Sequence, residues 1–424
     1  MVLAPVVVAA NAPPLMRELM GINGHTVQFR PALYAPVCGL ARDYHPIDWD
    51  FGDDPATATT FPVARNGVDW LEVYGSWRKE AFNTDACLMF DQIGTTKWRD
   101  PEGSARAYGE AFARAFGPSS ATPLVTSAEI GNEPGKYDDA LYRRIFAAMA
   151  AGLRAGDPRL TILPCALTLT KSGEYAKSVS CLDGLDSLWD AVNIHDYALA
   201  EGWPTWRRSY PEDPGIRYLA EIRETLAWRD AHAPGKPVWV TEFGWDASTR
   251  RPPPTGDFAK WEDVTGPRQA QYLVRSFMVF ARLGVARAYI FFFNDEDEPQ
   301  FHGSSGLTRH FTPKPSYYAV AHLYRTLGEY RFEKVLREEP GKVYAYRFAH
   351  DDGRRAVVAV WSPTGAGGHG MADIELDGYA VAGATRMPLG AKEAKPPALR
   401  VRGDRGRVRV PYDESPVYLR LEKR

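Results

Sequence analysis

From about Leu19 to Leu327 the chain alternates short apolar, strand-like runs with amphipathic helical segments, and this rhythm constrains its fold more than any other feature. Strands separated by helices pair in parallel, because each helix carries the chain back to the same end of the sheet. The runs fall near Met20–Asn23, Val37–Arg42, Ala86–Phe90, Thr126–Gly131, Leu160–Leu163, Ala191–Asn193, Val238–Thr241 and Ala288–Phe293. Eight strands in this length predict a closed (β/α)8 TIM barrel rather than an open sheet. Between them, Ala105–Phe116, Asp139–Ala155, Ile216–His232 and Gln269–Leu283 carry apolar residues at helical spacing. The second of these opens on Asp138-Asp139 and stops at Gly156-Asp157-Pro158, good start and stop signals.

After Leu327 the texture changes. Val343–Phe348 and Ala356–Trp361, joined through Asp351-Asp352-Gly353, read as a β-hairpin. Ala372–Leu376, Val408–Val410 and Val417–Leu421 follow as further strands between Gly and Pro turns. The expected organisation is a catalytic barrel over 15–328 and a small C-terminal antiparallel, sandwich-like β-domain over 329–424, with 1–14 packing on it. The tail carries no catalytic constellation, so packing against the barrel is its expected role, ahead of carbohydrate binding.

Lys and Arg number 51 against 53 Asp and Glu, and no basic stripe appears, which argues against nucleic acid as a partner. No run is long enough to span a membrane. The apolar segment Met1–Ala10 lacks a basic leader, and reads as the remnant of a trimmed export signal or as an edge strand. Cys38, Cys87, Cys165 and Cys181 show no zinc-ligand spacing; Cys38 and Cys87 read as core residues, and Cys165 and Cys181 as a candidate disulfide.

Two segments carry the chemistry: Glu129-Ile130-Gly131-Asn132-Glu133-Pro134, and Val238 to Trp245 with Glu242. Each is an apolar run that delivers a glutamate to a strand end, where desolvation raises a carboxyl pKa and calls for a functional reason. Residues at the C-terminal ends of barrel strands face one pocket. Arg42, Glu133, His195 and Glu242 are expected there, from the second, fourth, sixth and seventh strands. Two glutamates on one pocket suit glycoside cleavage, with one acid to protonate the leaving oxygen and one carboxylate to attack the anomeric carbon. Glu129, four residues before Glu133, is expected nearer the buried end, in a structural role.

These residues are also where the chain resembles a known group. Asn132-Glu133-Pro134 followed by Thr241-Glu242-Phe243-Gly244-Trp245 resembles clan A of the glycoside hydrolases, as do Arg42-Asp43-Tyr44-His45 and Asn193-Ile194-His195-Asp196-Tyr197. Gly21-Ile22-Asn23-Gly24-His25 and Pro313 to Ala319 resemble its family-39-like branch. The resemblance covers about the first three quarters of the chain. It implies a retaining β-glycosidase with Glu133 as general acid/base and Glu242 as nucleophile, needing neither metal nor organic cofactor. The residues themselves agree: an ionised Glu242 needs donors, which Arg42, His195 and Tyr197 can supply, and Asn132 suits a sugar hydroxyl. Many clan members end the eighth strand with Trp, where this chain has Ile290-Phe291-Phe292-Phe293-Asn294. Phe293, Trp245 or Trp203 are therefore expected as the sugar platform, with Asn294 among the substrate contacts. The acidic run Asp295–Glu298 is expected to be a solvated loop rather than a calcium site. The long loops 44–60, 200–214 with Trp203 and Trp206, and 250–263 with Trp261 are expected to shape the cleft.

The expected substrate is an oligo- or polysaccharide, and the expected address is secreted or periplasmic, with the cytoplasm as the alternative. A transglycosylase on the same residues and a carbohydrate-binding pseudo-enzyme on the same barrel are the rival readings. The sugar, its linkage and endo or exo attack stay open.

Overall fold

The computed structural model describes residues 12–393, 399, 401–404 and 406–424. Eight parallel strands run β1 (Met20–Gly24), β2 (Leu40–Pro46), β3 (Asn83–Met89), β4 (Val125–Ile130), β5 (Thr161–Pro164), β6 (Val192–His195), β7 (Val238–Phe243) and β8 (Arg287–Ile290). Their order in the sheet is β5-β4-β3-β2-β1-β8-β7-β6. The seam between β5 and β6 is closed largely by Asp190. Its N–H donates to the Ile162 carbonyl, and its carboxylate accepts from the Ile162 N–H, each at 2.8 Å. Arg154 Nη2 donates to both oxygens of the same carboxylate at 2.8 and 2.9 Å, and the Asn193 amide donates to the Pro164 carbonyl at 3.0 Å. Strands end where side chains can satisfy the free backbone groups.

The expected strand positions hold with shifts of three residues or more at β2, β3 and β8, and β3 begins at Asn83 rather than Ala86. β2 starts three residues late, because Pro31–Tyr34 forms a helical turn whose Tyr34 carbonyl takes the N–H groups of Val37 and Cys38. Arg42 therefore sits inside β2 rather than at its end. β8 stops at Ile290, before the three phenylalanines. Helices Pro101–Phe116 and Asp139–Gly156 are capped by Asp100 and Asp138, and pack so closely that a Cβ on Gly152 would meet the Arg106 carbonyl at 2.1 Å. Helices Tyr218–His232, Gly266–Leu283 and Pro315–Leu327 continue the outer ring.

Beyond the barrel, strands β9 (Tyr330–Glu339), β10 (Val343–His350), β11 (Arg355–Trp361), β12 (Gly370–Glu375), β13 (Tyr379–Arg386), β14 (Arg402–Asp404), β15 (Arg407–Tyr412) and β16 (Val417–Lys423) form two antiparallel sheets. Their orders are β9-β10-β11-β16-β13 and β12-β15-β14. Alternation along β10 explains the layering: Val343 and Ala345 pack toward the second sheet, while Tyr344, Tyr346 and Phe348 join the barrel's core cluster. A fully buried Arg275–Glu212 ion pair pins this contact, taking the Trp361 indole N–H at 2.7 Å and the Thr364 carbonyl at 2.9 Å. Pro13 and Leu15 lie on β9, where the Arg331 guanidinium donates to the Pro13 carbonyl at 2.6 Å. The rest of the expected N-terminal packing, residues 1–11, lies outside the described residues.

All four cysteines are free thiols, so the candidate Cys165–Cys181 bridge is not formed. Cys165 is sealed in the barrel wall, and the Cys181 sulfur lies 4.0 Å from the Ser172 hydroxyl instead. Among the described residues no helix is long and apolar enough to cross a membrane.

Candidate active site

Glu242 occupies the penultimate position of β7 and is 5% exposed. Its Oε1 accepts from the Tyr44 hydroxyl at 2.5 Å and from Arg42 Nη1 at 3.2 Å, and its Oε2 from the Tyr197 hydroxyl at 2.8 Å. His195 Nδ1 lies 3.6 Å from Oε2. Burial works against the charge, but His195, Arg42 and the two hydroxyls outweigh it and hold the pKa at about 2. Glu242 is ionised throughout the neutral range.

Arg42 makes this possible without touching the cavity. It is fully buried, and its Nε and Nη2 donate to both oxygens of Glu129 at 2.8 and 2.7 Å. The same guanidinium reaches Asn23 Oδ1 at 2.9 Å and Asn132 Oδ1 at 2.8 Å. A planar five-donor group is suited to tying β1, β2, β4 and β7 together in this way. With Asn132 Oδ1 occupied, its NH2 group remains for a ligand.

Glu133 follows β4 by three residues, across a turn in which Gly131 takes φ +83°. That left-handed backbone is where glycine is favoured. Its side chain is 26% exposed and accepts from His195 Nδ1 at 2.8 Å. Burial lowers the His195 pKa, but the charges of Glu242 and Glu133 overcome it and the net shift is upward. His195 thus bridges the two glutamates. The facing atoms of Glu133, His195 and Glu242 all lie within 4.8 Å of one another. Such a trio can in principle hold a metal ion. Here both Glu242 oxygens are already taken by donors, one of them the Arg42 cation, so a bound cation would have to displace them. Asp91, after β3, accepts the Asn132 N–H at 3.3 Å, and burial lifts its pKa to about 6.

The cavity above these groups measures about 1060 Å³. Glu133, Glu242, Asn132, His195 and Tyr197 line it as expected from their strands. Other expectations need correction. Trp245 is fully buried between Tyr218 and Tyr272, with its indole N–H on the Ser209 carbonyl at 2.7 Å, so it is a core residue. Phe293 is 1% exposed and packs on Phe29 and Tyr34; Phe291, two residues earlier, faces the cavity in its place. Asn294 is turned away, accepting from Thr308 and the Phe311 N–H. Trp203 points to solvent at 69% exposure, and Trp206 lines the cavity instead. Arg42, expected at the pocket, is fully buried beneath it and reaches the cavity only through its hydrogen bond to Glu242. Trp261 of the third loop is buried, and Phe258 represents that loop at the cavity. In the acidic run only Glu296 and Glu298 are solvated; Asp295 and Asp297 are ion-paired to Arg309, and Asp295 also to Lys314.

Tyr44, His25 and His302 are among the cavity residues with no role assigned from sequence. Tyr44 is the second hydroxyl on Glu242, and His25 stacks on its ring at 4.9 Å. Both lie in quoted motifs, so a signal was present. His302 meets the Tyr197 ring edge-on at 4.7 Å, and burial with the nearby Arg208 charge lowers its pKa to about 3. It comes from an irregular loop, where sequence spacing carries no geometric information.

No family model matches the sequence, and no curated protein matches it significantly. Solved structures do match in fold. A family 39 glycoside hydrolase from Bacteroides cellulosilyticus superposes with a TM-score of 0.70 at 18% identity, covering 96% of this chain and 82% of its own. A glucosidase from Croceicoccus marinus gives 0.66 at 14% identity, covering 98% of each chain. An α-L-arabinofuranosidase of family 51 from Thermotoga petrophila gives 0.63 at 11% identity, again with 98% of its own length covered. The barrel with its β-domain is thus an architecture that clan A glycoside hydrolases use.

Proposed function

We propose that the protein is a retaining glycoside hydrolase that cleaves β-linked glycosides by double displacement. One observation carries this reading: a donor-saturated, ionised Glu242 faces a half-buried Glu133 across one cavity, with their oxygens within 4.8 Å. Retaining pairs sit about 5–5.5 Å apart, whereas inverting pairs leave about 6.5–9.5 Å for a water molecule. The shared fold with glycoside hydrolases supports it.

In the first step Glu242 attacks the anomeric carbon as the glycosidic C–O bond breaks, and Glu133 gives its proton to the leaving oxygen. Tyr44 and Tyr197 hold the attacking carboxylate in line, while the buried Arg42 fixes its position. Bonding to carbon removes the negative charge of Glu242, which favours the ionised form of Glu133. Glu133 then takes a proton from water, whose oxygen displaces Glu242 from the same carbon. Two inversions return the original configuration. The Asn132 amide is placed to bind the hydroxyl next to the scissile bond.

The anomeric configuration of the first-formed sugar, followed by NMR before mutarotation, tests the mechanism. A β product from a β-glycoside supports it; an α product would eliminate it. Where the substrate is a polymer, a secreted or periplasmic address goes with this reading, and cell fractionation checks it.

A further inference from the structure

The proton donor of a glycosidase marks the side on which the leaving group lies, so the walls flanking Glu133 describe that group. In the sheet, β5 and β3 flank β4, and β2 and β1 follow beyond β3. The last residues of β3 and β2, Met89 and Pro46, and the segments after β5, β2 and β1, with Tyr175, Trp49 and Val27, reach the cavity. Among these five there is no carboxylate, carboxamide or ammonium group. Tyr175 stands close enough to Glu133 to feel its charge, which adds to burial and Glu174 in raising the phenol's pKa. Tyr175 and Val27 are 62% and 60% exposed, and belong to the small set of large apolar side chains that this molecule leaves in water. Exposed apolar patches concentrated at a binding cavity mark what the cavity binds.

The charged part of the lining lies past β5, on the segments after β6, two strands from β4. Asp196 directly follows β6, and Arg217 and Glu221 belong to the start of the helix after it. A sugar in the leaving-group position would need hydrogen-bond partners for several hydroxyls, because a buried polar group without a partner costs free energy. The wall beside Glu133 offers an indole, a phenol, a thioether and aliphatic groups, with the amides of Asn132 and Gln28 and the Thr26 hydroxyl as its few neutral polar groups.

We propose that this side of the cavity takes an apolar aglycone, alkyl or aryl, so that the substrate is a sugar β-linked to a hydrophobic alcohol. The inference rests on the glycoside hydrolase reading above and narrows its substrate.

The test uses methyl, butyl and hexyl β-glycosides of whichever sugar the enzyme accepts, beside the disaccharide and trisaccharide of that sugar. The three alcohols leave with nearly equal difficulty, so only burial of the chain differs. Full burial is worth about fourfold per methylene. Allowing for an open cavity, kcat/KM should rise at least about tenfold from methyl to hexyl and exceed that of the oligosaccharides. Tyr175→Ser with Val27→Ser should shrink the hexyl-to-methyl ratio several-fold, while Tyr175→Phe should keep it, since only the ring is needed. Both positions are exposed, so the variants are expected to fold. A flat alkyl series with kcat/KM rising from disaccharide to trisaccharide would overturn the inference and leave the hydrolase reading intact. No turnover of any glycoside, activated aryl ones included, would remove both.

Discussion

The two glutamates stand at one cavity in opposite surroundings. Glu242 is enclosed by two hydroxyls, a guanidinium and an imidazole, and its side chain is 7% exposed. Glu133 has one side-chain partner among the described residues, His195, and its side chain is 26% exposed. Donors on both oxygens favour the charged form of a carboxylate, which a nucleophile requires. A carboxyl that must give up a proton and later take one back cannot be fixed in that way. The contrast supports the proposed roles independently of sequence motifs.

Several substitutions would sharpen or break this contrast. Glu242→Gln should lower kcat by on the order of 10⁴-fold or more for every substrate, since no leaving group compensates for a missing nucleophile. Near-normal turnover would mean that the carboxylate does not attack. Glu133→Ala should cost about 10²–10⁴-fold with alkyl glycosides but little with activated aryl ones, because the lost function is proton donation. Azide should then accelerate turnover and yield a β-glycosyl azide. An equal loss across all leaving groups would exchange or abolish the roles.

Arg42→Leu probes the support rather than the chemistry. Removing one member of a buried ionic network costs about 3–5 kcal/mol, because Glu129 is left charged without its partner. Urea unfolding reads this directly, and a change below about 1 kcal/mol would show that the network is not coupled as described. The smallest effect is on pH dependence. His302 is held at about 3, below its ordinary 6.5, so the unfolded chain takes up a proton that the native state refuses. Its contribution to stability is complete above pH 6.5 and is lost as pH falls toward 3, with a slope of at most about 1.4 kcal/mol per pH unit. His302→Gln should flatten the stability profile in that window, and an unchanged slope would count against a buried neutral imidazole.

The barrel was legible because eight apolar runs at regular spacing admit few other folds. Glu133 and Glu242 were legible because each ends such a run. Tyr197 and His195 followed from their strand as well. What the sequence did not reveal depends on direction rather than position. Trp245 and Phe293 are aromatic and next to the site, yet their side chains turn into the core, where apolar burial favours them. Phe291 and Trp206 line the cavity where Phe293 and Trp203 were expected, two and three residues away along the chain. Arg42 was expected at substrate because β2 was placed three residues early, and the correct register puts it under the site instead. β9 and β13 were missed, because their partly exposed residues give a weak alternation beside the neighbouring strands.

The central claim is that Glu242 forms the covalent bond. Incubation with activated 2-fluoro β-glycosides, followed by intact-protein mass and peptide mapping, tests it most directly. The account predicts one added sugar per chain, carried by the peptide containing Glu242 and absent from Glu242→Gln. A label on Glu133, or on any other residue, would contradict it.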